Sequence, residues 1–239
     1  MTISTPYWID ANDQNLNFPD VAFALTEPDG LLAIGGDLSP ERLLMAYRNG
    51  IFPWYNAEEP ILWWCPNPRS VLFPDQFKLS RSLRKTRAKT TYTITIDTAF
   101  SEVINACCEA RKDQPGTWIT AEMRSAYCEM HKLGYAHSIE CWDNDQLIGG
   151  LYGMSIGQVF FGESMFSRKT DSSKLAFAYL VDKLKEWDFT LIDCQVKTAH
   201  LTSLGAEDIP REQFIKLLHR WCSTSPKPIA WSASASAPR

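Results

Sequence analysis

The seven cysteines and four histidines of this 239-residue chain form no CxxC pair, no HExxH and no other metal-ligand spacing. That excludes a zinc site of recognisable type, structural or catalytic. The cysteines (65, 107, 108, 128, 141, 194 and 222) are odd in number, which argues against a disulfide framework and for buried thiols in a reducing compartment. No stretch approaches the roughly 20 apolar residues a membrane span needs. The opening MTISTPYWIDANDQN lacks the basic start and apolar run of a signal peptide, so a soluble cytoplasmic protein is expected. Neither GxxxxGK[ST] nor GxGxxG occurs, and Gly149-Gly150 falls inside a strand pattern without the helix a nucleotide loop requires. Long internal repeats are absent too.

What remains is ordinary globular material, 45% hydrophobic and 22% charged, long enough for one large domain or two small ones. Net charge is −4, which argues against a generic nucleic-acid binder, but the charge is unevenly spread. Residues 1–77 balance to −7, residues 78–89 (KLSRSLRKTRAK) to +6 and residues 90–239 to −3. The block carries Lys78, Arg81, Arg84, Lys85, Arg87 and Lys89 without an acid. Cations interleaved with Ser and Thr suit a phosphate backbone. A merely solvated helix face or loop would look the same.

Along the chain, Ser39 caps a helix with Pro40 in its first turn, and Gly50 stops it. The Pro- and Trp-rich stretch IFPWYNAEEPILWWCPNPRS then joins two units near position 68. Beyond it YTITI (92–96) reads as a strand, Asp97 as the cap of a helix to about Arg111, and Thr120 as the start of a helix ended by Gly134. AHSIECWD and QLIGGLYGMS form a hairpin around Asp143-Asn144-Asp145, and a turn at Ile156-Gly157 leads into QVFFGES. A helix from Ser172-Ser173, the strand TLIDCQV (190–196), a short helix from Thr198 to Leu204 and a last helix from Pro210 to Cys222 follow. Residues 223–239, ending in SASASAPR, read as a disordered tail. The expected fold class is α+β: a small N-terminal α/β unit (1–68), then a domain (69–222) with a mixed, largely antiparallel sheet and flanking helices. The element order is compatible with the GNAT acyltransferase class.

Two segments carry candidate chemistry. In FFGESMFSR, Glu163 emerges from an apolar strand beside Gly162, where desolvation would raise its pKa and a nearby cation lower it; an exposed acid at a strand terminus is the plain alternative. In LIDCQV, strand alternation puts Asp193 and Gln195 on one face and Cys194 on the other. An acid and an amide in an apolar strand are costly to bury unless they bind each other or a ligand, although a pair tying strand to loop would also satisfy them. Cys194 lacks a base and reads as core. Trp54, Trp63, Trp64 and Trp118 lie in loop-like segments, where some can stack on bases and at least two are expected to seal a junction.

The blocks GLLAIGGDLSPERLLMAYRNGIFPWY, ILWWCPNPRSVLFP, GTWIT, HSIECW, FFGESMFSR and LIDCQV, in this order from about Phe18 to Trp221, resemble the leucyl/phenylalanyl-tRNA–protein transferases. The resemblance implies a bacterial cytoplasmic enzyme moving Leu, Phe or Met from aminoacyl-tRNA to proteins that begin with Arg or Lys, an N-degron reaction. It implies a GNAT-like C-terminal domain, no cofactor, no metal and no membrane; a monomer is expected. Consistently, SRKTDSSK after the FFGES strand lacks a Gly-rich pyrophosphate loop for acetyl-CoA. The family's stacking tryptophans fall on Trp54 and Trp118, its acidic and amide site residues on Glu163, Asp193 and Gln195, and its cationic surface on the 78–89 block. Phe160, Phe161, Met165 and Phe166 are candidates for an apolar aminoacyl slot. Gln195 would orient the amine and Asp193 stabilise the developing ammonium, a neutral amide being a very weak base. The alternatives are an acetyl-CoA-dependent N-acetyltransferase and a non-catalytic tRNA-binding module.

Overall fold

The computed structural model describes residues 5–109 and 119–232. Two sheets organise the chain. The smaller contains β1 (Tyr7–Ile9), β2 (Leu31–Gly35), β3 (Phe52–Pro53) and β4 (Leu62–Trp64), in the order β1-β2-β4-β3. The larger contains β5 (Arg69–Leu72), β6 (Thr93–Ile96), β7 (Ala136–Asp143), β8 (Gln146–Ile156), β9 (Val159–Ser167), β10 (Leu191–Gln195) and β11 (Glu207–Ile209). Its order is β11-β5-β10-β9-β8-β7-β6, and every neighbouring pair is antiparallel except the parallel β9–β10. Around the sheets pack α1 (Pro40–Arg48), α2 (Arg81–Lys89), α3 (Phe100–Glu109), α4 (Ala121–Lys132), α5 (Ser172–Glu186), α6 (Ala199–Ser203) and α7 (Arg211–Trp221). The fold is α+β with a mixed, largely antiparallel sheet and flanking helices, as expected. The small sheet ends at Trp64 and the large one begins at Arg69.

Strand alternation divides the core between the two faces of the large sheet. Tyr152, Met154, Phe161 and Phe166 join the small sheet, α1, α3, α4 and α7 on one side. Leu151, Phe160 and Ile192 meet Ala176, Phe177, Leu180, Val181 and Leu184 of α5 on the other. Helix α5 is apolar around much of its girth because it covers the middle of the sheet, where little water reaches either flank.

Two of the bulges that break this alternation lie in β9 and β10. Tyr152 pairs with Ser164 and Gly153 with Gly162, so Glu163 is the extra residue in β9. In β10, Asp193 pairs with Val71 and Gln195 with Ser70, so Cys194 is extra. A β-carbon on Gly153 would lie 2.2 Å from the Phe161 carbonyl and 2.6 Å from the Phe160 ring, so only glycine lets the first bulge close. Strands β9 and β10 pair only between Val159–Phe161 and Leu191–Asp193 and part where the bulges begin.

Helix punctuation follows the sequence signals at Ser39, Thr120 and Thr198, whose hydroxyls accept from Arg42, Met123 and Leu201 N–H. Asp97 departs from expectation. It lies at φ 56°, ahead of a helix that starts only at Phe100; Arg111 is outside the described residues. Its carboxylate instead accepts from the Ser138 N–H at 2.8 Å and meets His137 Nδ1 at 2.7 Å, tying β6 to β7.

The expected disorder of 223–239 is corrected for the described part. Trp231 lies parallel to His137 with ring centres 3.9 Å apart, packs edge-on against Trp187 and donates from Nε1 to Ser155 Oγ at 2.9 Å. Low-complexity composition missed this because one large aromatic side chain suffices to dock the segment ahead of it. Residues 233–239 lie outside the described chain. Trp231→Ala should cost about 2 kcal/mol, less than a fully buried aromatic, and lower Tm by about 6 °C in a chain of this size. Calorimetry reads this directly; an unchanged Tm would mean that the segment is not held.

Candidate active site

Where β9 and β10 part, a cavity of about 440 Å³ opens through the sheet. Its deep wall is apolar: Leu151, Phe160, Phe177 and Ile192 are all buried, with Met165 and Leu201 beside them. Its rim carries Trp54, Gln195, Val196, Thr198 and His200. Burial, then the charge of Lys174, pushes His200 below the usual imidazole range, so it is neutral at pH 7.

Of the apolar-slot candidates, Phe160 and Met165 line the cavity. Phe161 and Phe166 do not; both belong to the opposite core, Phe161 edge-on to Tyr47 and Phe166 under the Arg168 guanidinium. The bulge explains the selection. Phe160 and Met165 have opposite parity in sequence, yet the extra residue between them brings both to the same side. Leu151, Phe177 and Ile192 completed the slot without any local sequence signal to single them out.

The same irregularity corrects the reading of LIDCQV. Gln195 lies at φ 60°, in the left-handed region unusual for a non-glycine residue. Cys194 lines the cavity rather than facing away from it. Burial pushes its thiol far above the ordinary range, so it is no thiolate nucleophile.

Asp193 is fully buried, and its oxygens are committed. Arg69 donates to both, Nε to Oδ1 at 2.8 Å and Nη2 to Oδ2 at 2.6 Å. Oδ1 also accepts the Gln195 backbone N–H at 2.9 Å, which pins the second bulge. The Arg69 guanidinium is itself held between the rings of Phe52 and Phe214, each 4.7 Å from its central carbon. Burial opposes its charge, and the Asp193 carboxylate more than restores it. Arg69 was overlooked in the sequence, although a lone cation between Pro68 and the apolar SVLF was a usable signal.

Glu163 is the buried partner of three groups. Oε1 accepts from Tyr47 at 2.7 Å and from Gln195 Nε2 at 3.0 Å, and Oε2 shares a hydrogen bond with the Tyr127 hydroxyl at 3.0 Å. Desolvation pushes its pKa up to about 7 against the lowering effect of the two tyrosine hydroxyls. Tyr47 and Tyr127, from α1 and α4, were also missed. Each lies on a helix face that reads as core, and only docking of the helices shows where their hydroxyls end.

Trp54 is half exposed at the cavity rim, with its backbone fixed by Leu62 and its carbonyl accepting from Trp64 Nε1. Trp63 is wholly buried with its indole N–H on the Gly35 carbonyl and belongs to the core. Trp118 lies outside the described residues. The basic block forms α2 from Arg81 onward, a helix anchored by buried Leu83 alone among its nine residues; its five cations and Lys78 ahead of it are all exposed. Arg87 is bound to Asp182 at 2.6 Å. The Lys78 N–H is bonded to the Leu204 carbonyl, which sets the start of the block beside the α6 end of the cavity rim. Among the described residues, no group of His, Cys, Asp or Glu could hold a metal ion, and no helix is long and apolar enough to cross a membrane.

A pocket that opens where two parallel strands part, with polar groups at its mouth and its one thiol suppressed by burial, suits direct handover of an activated acyl group. The sequence profile of the leucyl/phenylalanyl-tRNA protein transferases matches residues 71–219, and that of their N-terminal domain matches residues 36–67. A leucyl/phenylalanyl-tRNA–protein transferase of Cellvibrio japonicus is 57% identical over 85% of this chain and 87% of its own length. One of Nitrosomonas europaea is 59% identical over 85% and 86%. Among solved structures, a GCN5-related N-acetyltransferase from Kribbella flavida is similar at 13% identity with a TM-score of 0.37, over 71% of this chain and 60% of its own. The chain belongs to the leucyl/phenylalanyl-tRNA–protein transferase family.

Removing one partner of the Arg69–Asp193 pair leaves a buried charge uncompensated. Arg69→Met and Asp193→Leu should each lower stability by about 3–5 kcal/mol, while the Arg69→Met/Asp193→Leu double variant recovers much of the loss. Urea titration of the four proteins completes the cycle. Additive losses would show that the pair is not coupled.

Proposed function

We propose that this chain transfers a leucyl, phenylalanyl or methionyl residue from aminoacyl-tRNA to the N-terminal Arg or Lys of acceptor proteins in the cytoplasm, so marking them for proteolysis. The observation that carries the reading is the apolar cavity of about 440 Å³ ending at Gln195. Its volume suits one large apolar side chain with the reacting ester beside it. Burying a Leu or Phe side chain there is worth about 1.5–3 kcal/mol. Such a wall separates apolar side chains by only about 1–3 kcal/mol, so use of more than one of them is expected.

The aminoacyl ester is already activated, and the enzyme supplies positioning and charge stabilisation. The acceptor amine attacks the ester carbonyl carbon and forms the new C–N bond. The tetrahedral oxyanion then collapses, the C–O bond to the ribose breaks, the ribose oxygen takes up a proton and the amine gives one up. An α-amine with pKa near 8 keeps a neutral fraction of about 10% at pH 7, so a strong base is unnecessary.

In this reading Gln195 accepts a hydrogen bond from the amine and aims its lone pair. Asp193 is a positioning residue: its oxygens meet Arg69 and the Gln195 N–H, so it acts on the amine through Gln195 rather than as a free counter-ion. Trp54 and Trp118 stack on the terminal adenosine. Lys78, Arg81, Arg84, Lys85, Arg87 and Lys89 hold tRNA phosphates without reading sequence.

Incubation with radiolabelled Leu-tRNA and a peptide beginning with Arg should move the label into the peptide, and no transfer with tRNA still bound would leave only a binding module. The Arg84→Glu/Lys85→Glu/Arg87→Glu variant should raise KM for aminoacyl-tRNA at least tenfold, with little change for a minimal aminoacyl-adenosine. The wild-type KM for tRNA should climb with salt as phosphate contacts are screened. Equal effects on both substrates would move the tRNA contact elsewhere.

A further inference from the structure

Around Glu163 three oxygen–oxygen contacts close a ring: Tyr47 with Glu163 Oε1, Tyr127 with Glu163 Oε2, and Tyr47 with Tyr127. Each contact needs one hydrogen between its oxygens. The two tyrosine hydroxyls supply two. The third hydrogen has one place to be, on the Glu163 carboxyl. With it there the hydrogen bonds run in one direction: Glu163 Oε2–H donates to Tyr127, Tyr127 to Tyr47, and Tyr47 to Oε1. Were Glu163 ionised, the ring would be one hydrogen short and one contact would set lone pairs against each other in a buried site, a costly arrangement.

Oε1 then acts as a carbonyl oxygen, and it also accepts from Gln195 Nε2. That bond decides which way the Gln195 amide faces. With its NH₂ turned to Glu163, its carbonyl oxygen is left for the cavity, where an attacking amine presents N–H.

We propose that Glu163 works as a neutral carboxylic acid, closing a hydroxyl ring with Tyr47 and Tyr127 that fixes the Gln195 amide with its carbonyl toward the incoming amine. The charge pattern of the surroundings supports this. Facing Glu163 are Tyr47 from α1, Tyr127 from α4, Asp193 from β10 and Arg69 from β5, while Tyr152 from β8 faces Tyr127. His200 on the rim is neutral at pH 7. Asp193 is cancelled by Arg69, and both ring tyrosines are held far above their ordinary pKa by burial. A neutral Glu163 therefore leaves no uncompensated anion at the mouth. This matters because a carboxylate there would raise the amine's pKa and trap it as ammonium, which has no lone pair to attack with.

The proposal rests on the transfer reaction for its purpose, but its test does not. Infrared spectra of the wild-type protein at pH 5.5 and pH 9, compared with those of Glu163→Gln, should show a protonated-carboxyl stretch that disappears on the alkaline side and is missing from the variant. Absence of that band at pH 5.5 overturns the proposal whether or not the protein transfers aminoacyl groups. Glutamine reproduces the ring, its NH₂ replacing the acid O–H toward Tyr127 and its carbonyl accepting from Tyr47 and Gln195. Glu163→Gln should thus retain kcat to within about tenfold at pH 7, whereas Glu163→Leu loses at least a hundredfold. If Glu163→Gln is as impaired as Glu163→Leu while still folded by circular dichroism, the side chain acts as a carboxylate and the proposal fails. A protonated band in a protein without transfer activity would sink the reaction assignment and leave the ring standing.

Discussion

The buried pairing of Arg69 with Asp193 is the constraint from which the site is built. It joins the first strand of the large sheet to the strand that ends at the cavity, and the guanidinium is clamped by one ring from the small sheet and one from α7. A buried ion pair contributes little net stability compared with apolar packing, but it is unforgiving of displacement. Here it fixes the Asp193 carboxylate, which in turn holds the Gln195 N–H and a left-handed backbone that extended pairing would not tolerate. Gln195 reaches Glu163 only because of that turn.

A second constraint follows from electrostatics. Three acids or potential acids crowd the mouth of a pocket whose proposed reaction consumes a neutral amine. The structure offsets their charge in different ways: a guanidinium for Asp193, and burial for the Cys194 thiol and for Glu163, whose pKa it raises to about 7. What is left to meet substrate is dipoles. Preorganised dipoles suit aminoacyl transfer, since the ester brings its own activation and needs orientation more than force.

Much of this was legible in the sequence. The helix caps at Ser39, Thr120 and Thr198, the hairpin at Asp143–Asp145 and the strand LIDCQV follow from local signals, because caps and tight turns are decided within a few residues. Glu163, Asp193 and Gln195 stood out as polar groups in apolar strands, and the structure does bring them together. Arg69 and the two tyrosines did not stand out. Their partners lie 124, 116 and 36 residues away, a separation no local pattern encodes. Phe161 and Phe166 were grouped with Phe160 and Met165 because alternation is invisible to composition, and the bulge at Glu163 sorts them onto opposite faces.

The order of elements, the cationic block and the chemical types available at the site were set by the chain itself, since periodicity, capping and charge density are properties of neighbours in sequence. Which face each strand residue occupies, which acid is cancelled by which base and which way one amide points were settled only in three dimensions. Those outcomes depend on strand register and burial. A single inserted residue in a strand inverts the side-chain pattern beyond it, and withdrawal from water changes what an ionisable group can carry.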